Sequence, residues 1–121
     1  MSGTSLDRFM SWEWHETDRH CWHAVQAVWL ELTGFDIGDR TPRQDSPISR
    51  IRAFRSGERE FRAVTPRTDP SIVLMAPVRS RVPHVGVFTG GRVFHLDRGG
   101  AFYERLNDLT ERFNIKGWYR P

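Results

Sequence analysis

The stretch His84-Val85-Gly86-Val87-Phe88-Thr89-Gly90-Gly91-Arg92-Val93-Phe94-His95-Leu96-Asp97 decides how this chain folds. Two runs with strand character, 84–89 and 92–97, flank Gly90-Gly91. A two-residue hairpin turn needs positive φ at both positions, and glycine supplies that without steric cost. With the turn placed there, Phe88 faces Val93, Gly86 faces His95 and His84 faces Asp97. One side of the hairpin then carries Val85, Val87, Phe94 and Leu96, a core face, and the other carries His84, Gly86, His95 and Asp97. His84 and His95 become diagonal neighbours with Cα atoms about 7–8 Å apart, within side-chain reach. Gly86, opposite His95, is expected to leave space beside both imidazoles. Taken alone, such a polar side is what the solvated face of an edge hairpin looks like.

A second chemical group lies upstream. Trp22, Val25, Val28, Trp29 and Leu32 recur at helical spacing, so a helix is expected over Cys21–Leu32, capped by Thr17 or Asp18 and stopped by Gly34. Cys21, the chain's one cysteine, falls in its first turn. There the positive end of the helix dipole and the unpaired N–H groups favour thiolate and offer an oxyanion site. A thiol, a histidine base and a third group orienting that base make an activated nucleophile. A lone cysteine is otherwise a small buried hydrophobe, so the His84/His95 pair is what raises the catalytic reading.

The remaining elements are shorter. Ser46, Pro47 and Gly57 frame a helix over Pro47–Arg55. Strands are expected at Phe61–Val64, Ile72–Met75, Phe102–Leu106 and Ile115–Tyr119, with a short helix capped by Asn107 or Asp108 that carries Leu109 and Phe113. Residues 1–16 read as an irregular lead-in containing Trp12 and Trp14. One helix followed by a meander of strands predicts an α+β fold with a largely antiparallel sheet, in a single domain spanning 1–121.

Composition narrows the function classes. A single cysteine excludes an internal disulfide and a cysteine-rich metal site. His20, Cys21 and His23 cannot all point one way from one helical turn, so no metal and no cofactor are expected. The longest apolar run, residues 72–78, is too short to cross a bilayer, and residues 1–20 lack a signal peptide's apolar stretch. A soluble product made in the cytoplasm is therefore expected. Seventeen of the 18 basic residues are arginine; eleven of them fall in residues 40–92 against four acids, while 1–39 carry seven acids against two. An arginine-rich middle suits an anionic partner, yet no aromatics interleave it and no helix concentrates it. That argues against a nucleic-acid module.

At these residues the chain resembles a known family. His20-Cys21-Trp22-His23-Ala24-Val25, with Gly34-Phe35-Asp36-Ile37 behind the helix, resembles the nucleophile segment of NlpC-type cysteine peptidases, closest to the phage tail branch. Ser71-Ile72-Val73-Leu74-Met75 and His84-Val85-Gly86-Val87-Phe88 resemble that family's central strand and base segment. Val93-Phe94-His95 is similar to its third-residue segment, and Gly117-Trp118-Tyr119-Arg120 to the closing strand of tail members. The likeness runs in the family's order from about residue 17 to the end. The chain departs from the pattern where the family has Asp before the nucleophile (His20 here) and Gly two residues after it (His23 here).

The resemblance implies a papain-like core, with a nucleophile helix packed on the sheet that bears the histidines. It implies Cys21 as nucleophile, His84 as general base and His95 as the residue orienting His84, with His20, Trp22, Trp14, Gly86 and Asp97 lining the site. The implied activity is a metal-free thiol endopeptidase cutting peptidoglycan stem peptides. Such a protein would be assembled with other phage tail proteins into a virion and act in the periplasm or cell wall. The alternative is a catalytically degenerate assembly component of the tail tip, held to its partners through the arginine-rich middle or exposed tryptophans.

Overall fold

Helix α1 spans Cys21–Thr33 and buries Cys21, Trp22, Ala24, Val25, Val28 and Trp29, the stripe that the 3.6-residue period predicts. It stops where expected: Gly34 has φ 75°, and its N–H donates to the Leu30 carbonyl at 2.8 Å. Its start differs. The cap is His20, in extended backbone, rather than Thr17 or Asp18, and its backbone N–H donates to His23 Nδ1 at 3.3 Å. An acceptor one turn into the helix satisfies the cap N–H, as Glu or Gln does in a capping box. The computed structural model describes residues 3–15, 20–38 and 61–121. The helix expected over Pro47–Arg55, the arginines of 40–60 and the alternative caps Thr17 and Asp18 lie outside the described residues.

Six strands follow: β1 (Arg62–Ala63), β2 (Ser71–Pro77), β3 (His84–Thr89), β4 (Arg92–Asp97), β5 (Gly100–Arg105) and β6 (Phe113–Arg120), with a one-turn helix α2 (Leu106–Leu109) before β6. They form one antiparallel sheet ordered β1-β6-β2-β3-β4-β5. The expected α+β papain-like core is therefore corrected. The described residues make a small β-rich domain, a six-stranded sheet with one substantial helix. The physical reason lies in how the second face is covered. Its own aromatic side chains and the single turn of α2 close it, so no second helical layer is needed there.

Other boundaries shift for local reasons. The lead-in is not irregular throughout, because Gly3–Phe9 form a 3-10 helix that buries Leu6 and Phe9 against α1. Trp12 and Trp14 are half-buried against the same core rather than exposed. The strand expected at Phe61–Val64 is reduced to Arg62–Ala63, and Phe113 opens β6 instead of belonging to the short helix. That helix is capped by Arg105 rather than Asn107 or Asp108.

The sheet divides the apolar residues into two clusters. Val85, Val87, Phe94, Leu96 and Ile72 pack under α1 and the 3-10 helix. Val73, Met75, Phe88, Val93, Leu109, Phe113 and Trp118 pack on the reverse face. A bulge adjusts the second cluster. The β2–β6 register shifts between Leu74 and Met75, pairing Leu74 with Gly117 but Met75 with Ile115. The extra residue in β6 reverses the alternation, so Phe113, Ile115 and Trp118 share one face although their numbers differ in parity. Trp118 then meets Phe88 edge-on at 5.4 Å.

Candidate functional site

The β3–β4 hairpin is built as its turn requires. Gly90 and Gly91 have φ 63° and 80°, and the ladder pairs Thr89 with Arg92, Phe88 with Val93 and Val87 with Phe94. Register then places His84 and His95 on the reverse face with Phe88 and Val93, away from the side that α1 covers. His84 Nε2 lies 3.0 Å from His95 Nδ1, and both residues are buried. The expected side-chain meeting of the two histidines is therefore present.

Aromatic rings wall this pair. Phe113 stacks on His84 at 5.3 Å between centroids, and Phe102 stacks on His95 at the same distance. Phe113 also stands edge-on to His95 at 5.4 Å. These contacts fix both ring planes and take water away from them. Beyond His95, the Glu104 carboxylate lies 2.6 Å from His95 Nε2, and Arg112 donates to the same carboxylate oxygen. The result is one chain of polar groups, His84–His95–Glu104–Arg112, running from the buried interior to a half-exposed guanidinium.

Burial is the main influence on His95 and holds its imidazole below the ordinary histidine value of 6.5. The hydrogen bond and charge of Glu104, and the charge of Asp97, pull the other way, while Arg112 adds to the lowering. The net direction is downward, so His95 is neutral at physiological pH.

Neither Glu104 nor Arg112 was expected from the sequence, although a signal for Glu104 was there. The β4–β5 hairpin pairs Val93 with Glu104 and His95 with Phe102. The same diagonal arithmetic that joins His84 to His95 joins His95 to Glu104 once the second hairpin is registered. Arg112 follows α2, and no local pattern announces its reach.

The other expected site residues are spread over several elements. Cys21 opens α1 and is buried with the cluster beneath that helix, whereas the histidines belong to the reverse face. Gly86 does not leave space beside the imidazoles. A Cβ there would stand 2.7 Å from the Phe94 carbonyl and 2.8 Å from Val93 Cγ1, so this glycine lets β3 and β4 close on each other. Asp97 is not opposite His84 in the ladder; it pairs with Gly100, and its Oδ1 accepts the Arg98 N–H at 2.8 Å. His20 is buried at the helix cap with its ring 4.2 Å from that of His23. Trp22 is buried near Phe61, and Trp14 carries the Arg98 guanidinium over its ring at 4.8 Å.

Among the described residues, no three His, Cys, Asp or Glu side chains converge in a set able to hold a metal ion. No helix among them is long and apolar enough to cross a membrane. Comparison with protein-family models gives no match, and comparison with curated proteins gives none.

Proposed function

We propose that this protein is a thiol hydrolase that cuts the stem peptides of peptidoglycan, with Cys21 as nucleophile, His84 as general base and His95 as the residue that orients His84. The buried His84–His95 hydrogen bond at 3.0 Å carries this reading. A base whose second nitrogen is held by a neutral, ring-walled partner is the arrangement that nucleophile activation needs. Cys21 at the first position of α1, at the positive end of the helix dipole, supports it from the other side. The segments around Cys21, His84 and His95 resemble NlpC-type peptidases, and that likeness supplies the substrate class and a setting in a phage or phage-like tail. The proposal retains this chemistry without the papain-like architecture.

In the reaction, the Cys21 thiol gives its proton to His84 and the sulfur attacks the scissile carbonyl. The carbonyl oxygen becomes an oxyanion beside the positive end of the α1 dipole. Collapse breaks the C–N bond, and His84 returns the proton to the departing amine. Water then enters, gives its proton to His84 and releases the acyl group from sulfur, which restores the thiol. No oxidant or metal is required. The protein would be made in the cytoplasm, join other tail proteins and act in the periplasm or cell wall.

Purified protein is expected to release new amino groups from isolated peptidoglycan, and Cys21→Ala to abolish the release. Equal release by that variant would remove Cys21 from the mechanism. Alkylation of Cys21 is a second reading of the same site. It should proceed well below the ordinary thiol range and slow sharply in His84→Ala.

One observation favours a second reading. Cys21 is buried in the apolar cluster under α1, as a purely structural cysteine would be. A vestigial site in a tail assembly component predicts no amine release, slow alkylation at neutral pH and stable binding to tail proteins.

A further inference from the structure

We propose that Glu104, held by Arg112, is a positioning residue that fixes the tautomers of both buried histidines, so that His84 carries its lone pair on Nδ1. The hydrogen bonds order the protons one after another. Arg112 only donates, and it donates to the same Glu104 oxygen that faces His95 Nε2. A carboxylate oxygen that takes a hydrogen from Arg112 offers a lone pair to His95 as well, so it accepts and His95 Nε2 carries the hydrogen. A neutral His95 then has a bare Nδ1, which at 3.0 Å from His84 Nε2 must accept. His84 therefore carries its hydrogen on Nε2, and Nδ1 is its basic nitrogen. The reverse order would set a bare His95 nitrogen against a carboxylate at 2.6 Å.

The same chain serves the protonated state. When His84 takes a proton at Nδ1, its Nε2–H faces a neutral acceptor that is itself backed by a carboxylate, so the imidazolium is stabilised through two hydrogen bonds. Glu104 lies on β5 and Arg112 follows α2, whereas the histidines lie on β3 and β4. Three strands and the turn after α2 thus converge on one proton order. Burial of His95 keeps it neutral and preserves the order at physiological pH. Asp97 is the other charge acting on His95, and it works against that neutrality.

The tautomer assignment rests on hydrogen bonds alone; only its catalytic consequence rests on His84 being the base. Protein labelled with 15N in the histidine rings, examined by long-range 1H–15N correlation near pH 7.5, reports each tautomer directly. His84 and His95 are both expected in the Nε2–H form. A wild-type His84 protonated on Nδ1 would overturn the proposal before any variant is made. Glu104→Ala should mix the two tautomers and slow Cys21 alkylation by about tenfold or more, the scale seen when a metal-ligating histidine loses its outer partner. Glu104→Gln keeps an acceptor and should restore the tautomers while recovering part of the rate. Arg112→Gln, at a half-exposed position, should act in the same direction more weakly. A folded Glu104→Ala protein with unchanged tautomers sinks the idea. Tautomers as assigned, together with unimpaired peptidoglycan cleavage by Cys21→Ala, would instead refute the thiol mechanism and leave the proton order standing.

Discussion

The two faces of the sheet are closed by different means. Under α1 the closure is mainly apolar: Val85, Val87, Phe94 and Leu96 cluster with Val25, Val28 and Trp29, and burial of hydrocarbon is the dominant stabilising effect there. On the reverse face, Phe88, Val93, Phe113 and Trp118 do similar work but surround a row of polar groups that ends in Arg112. A buried polar row is tolerated only where every member finds its partner. Both faces gain from buried hydrocarbon, and the second adds a polar row that requires matched geometry.

Substitutions can break this comparison in a graded way. The largest effect should come from Phe94→Ala, which empties a fully buried ring position under α1 and is expected to cost about 3–5 kcal/mol. Chemical denaturation measures it, and a cost no larger than that of a surface change would deny the first face its role. Gly86→Ala comes next, at about 1–3 kcal/mol, because the new methyl meets backbone and Val93 rather than open space. It should also part β3 from β4, so the His84 and His95 ring signals are expected to shift together. Independence of those signals would show that the dyad does not rely on strand closure.

A pH titration sharpens the same contrast. The folded-state pKa of His95 is depressed, so the unfolded chain binds the extra proton first as pH falls. Stability should be full above the ordinary value of 6.5 and decline below it. Thermal midpoints measured from pH 8 down to about pH 5 should fall below that value in the wild type. In His95→Gln the fall should be shallower, and an identical slope would mean that another group dominates. The smallest effect belongs to Arg8→Ala. The Arg8–Glu31 pair at 2.6 Å lies at the surface, so its loss should cost less than about 1 kcal/mol. A larger loss would place Arg8 in the scaffold through its stacking on Phe9 at 4.7 Å.

The resemblance to NlpC-type peptidases and the structure meet unevenly. The His84–His95 pairing was legible because a tight glycine turn fixes register, and register fixes which side chains are diagonal neighbours. The papain-like core was not, because a likeness carried by short segments says little about how the faces of a sheet are covered. Asp97 and Gly86 were misjudged for a related reason. Hairpin arithmetic assumes an ideal ladder to its end, whereas this one stops at Val87 and Phe94, and the strands close tightly across Gly86.

By itself the sequence determined the body of α1 and the β3–β4 turn. The apolar stripe and Gly34 fixed α1, and Gly90-Gly91 fixed the β3–β4 turn, since helical period and positive φ are properties of a few consecutive residues. Only the tertiary structure decided which face each group occupies beyond those elements. A single extra residue in β6 reverses alternation and brings Trp118 beside Phe113, an effect that appears only once β6 pairs with β2. Glu104 and Arg112 joined the histidines for the same reason. Their contacts depend on pairing between strands and on the path after α2, which no local pattern of residues encodes.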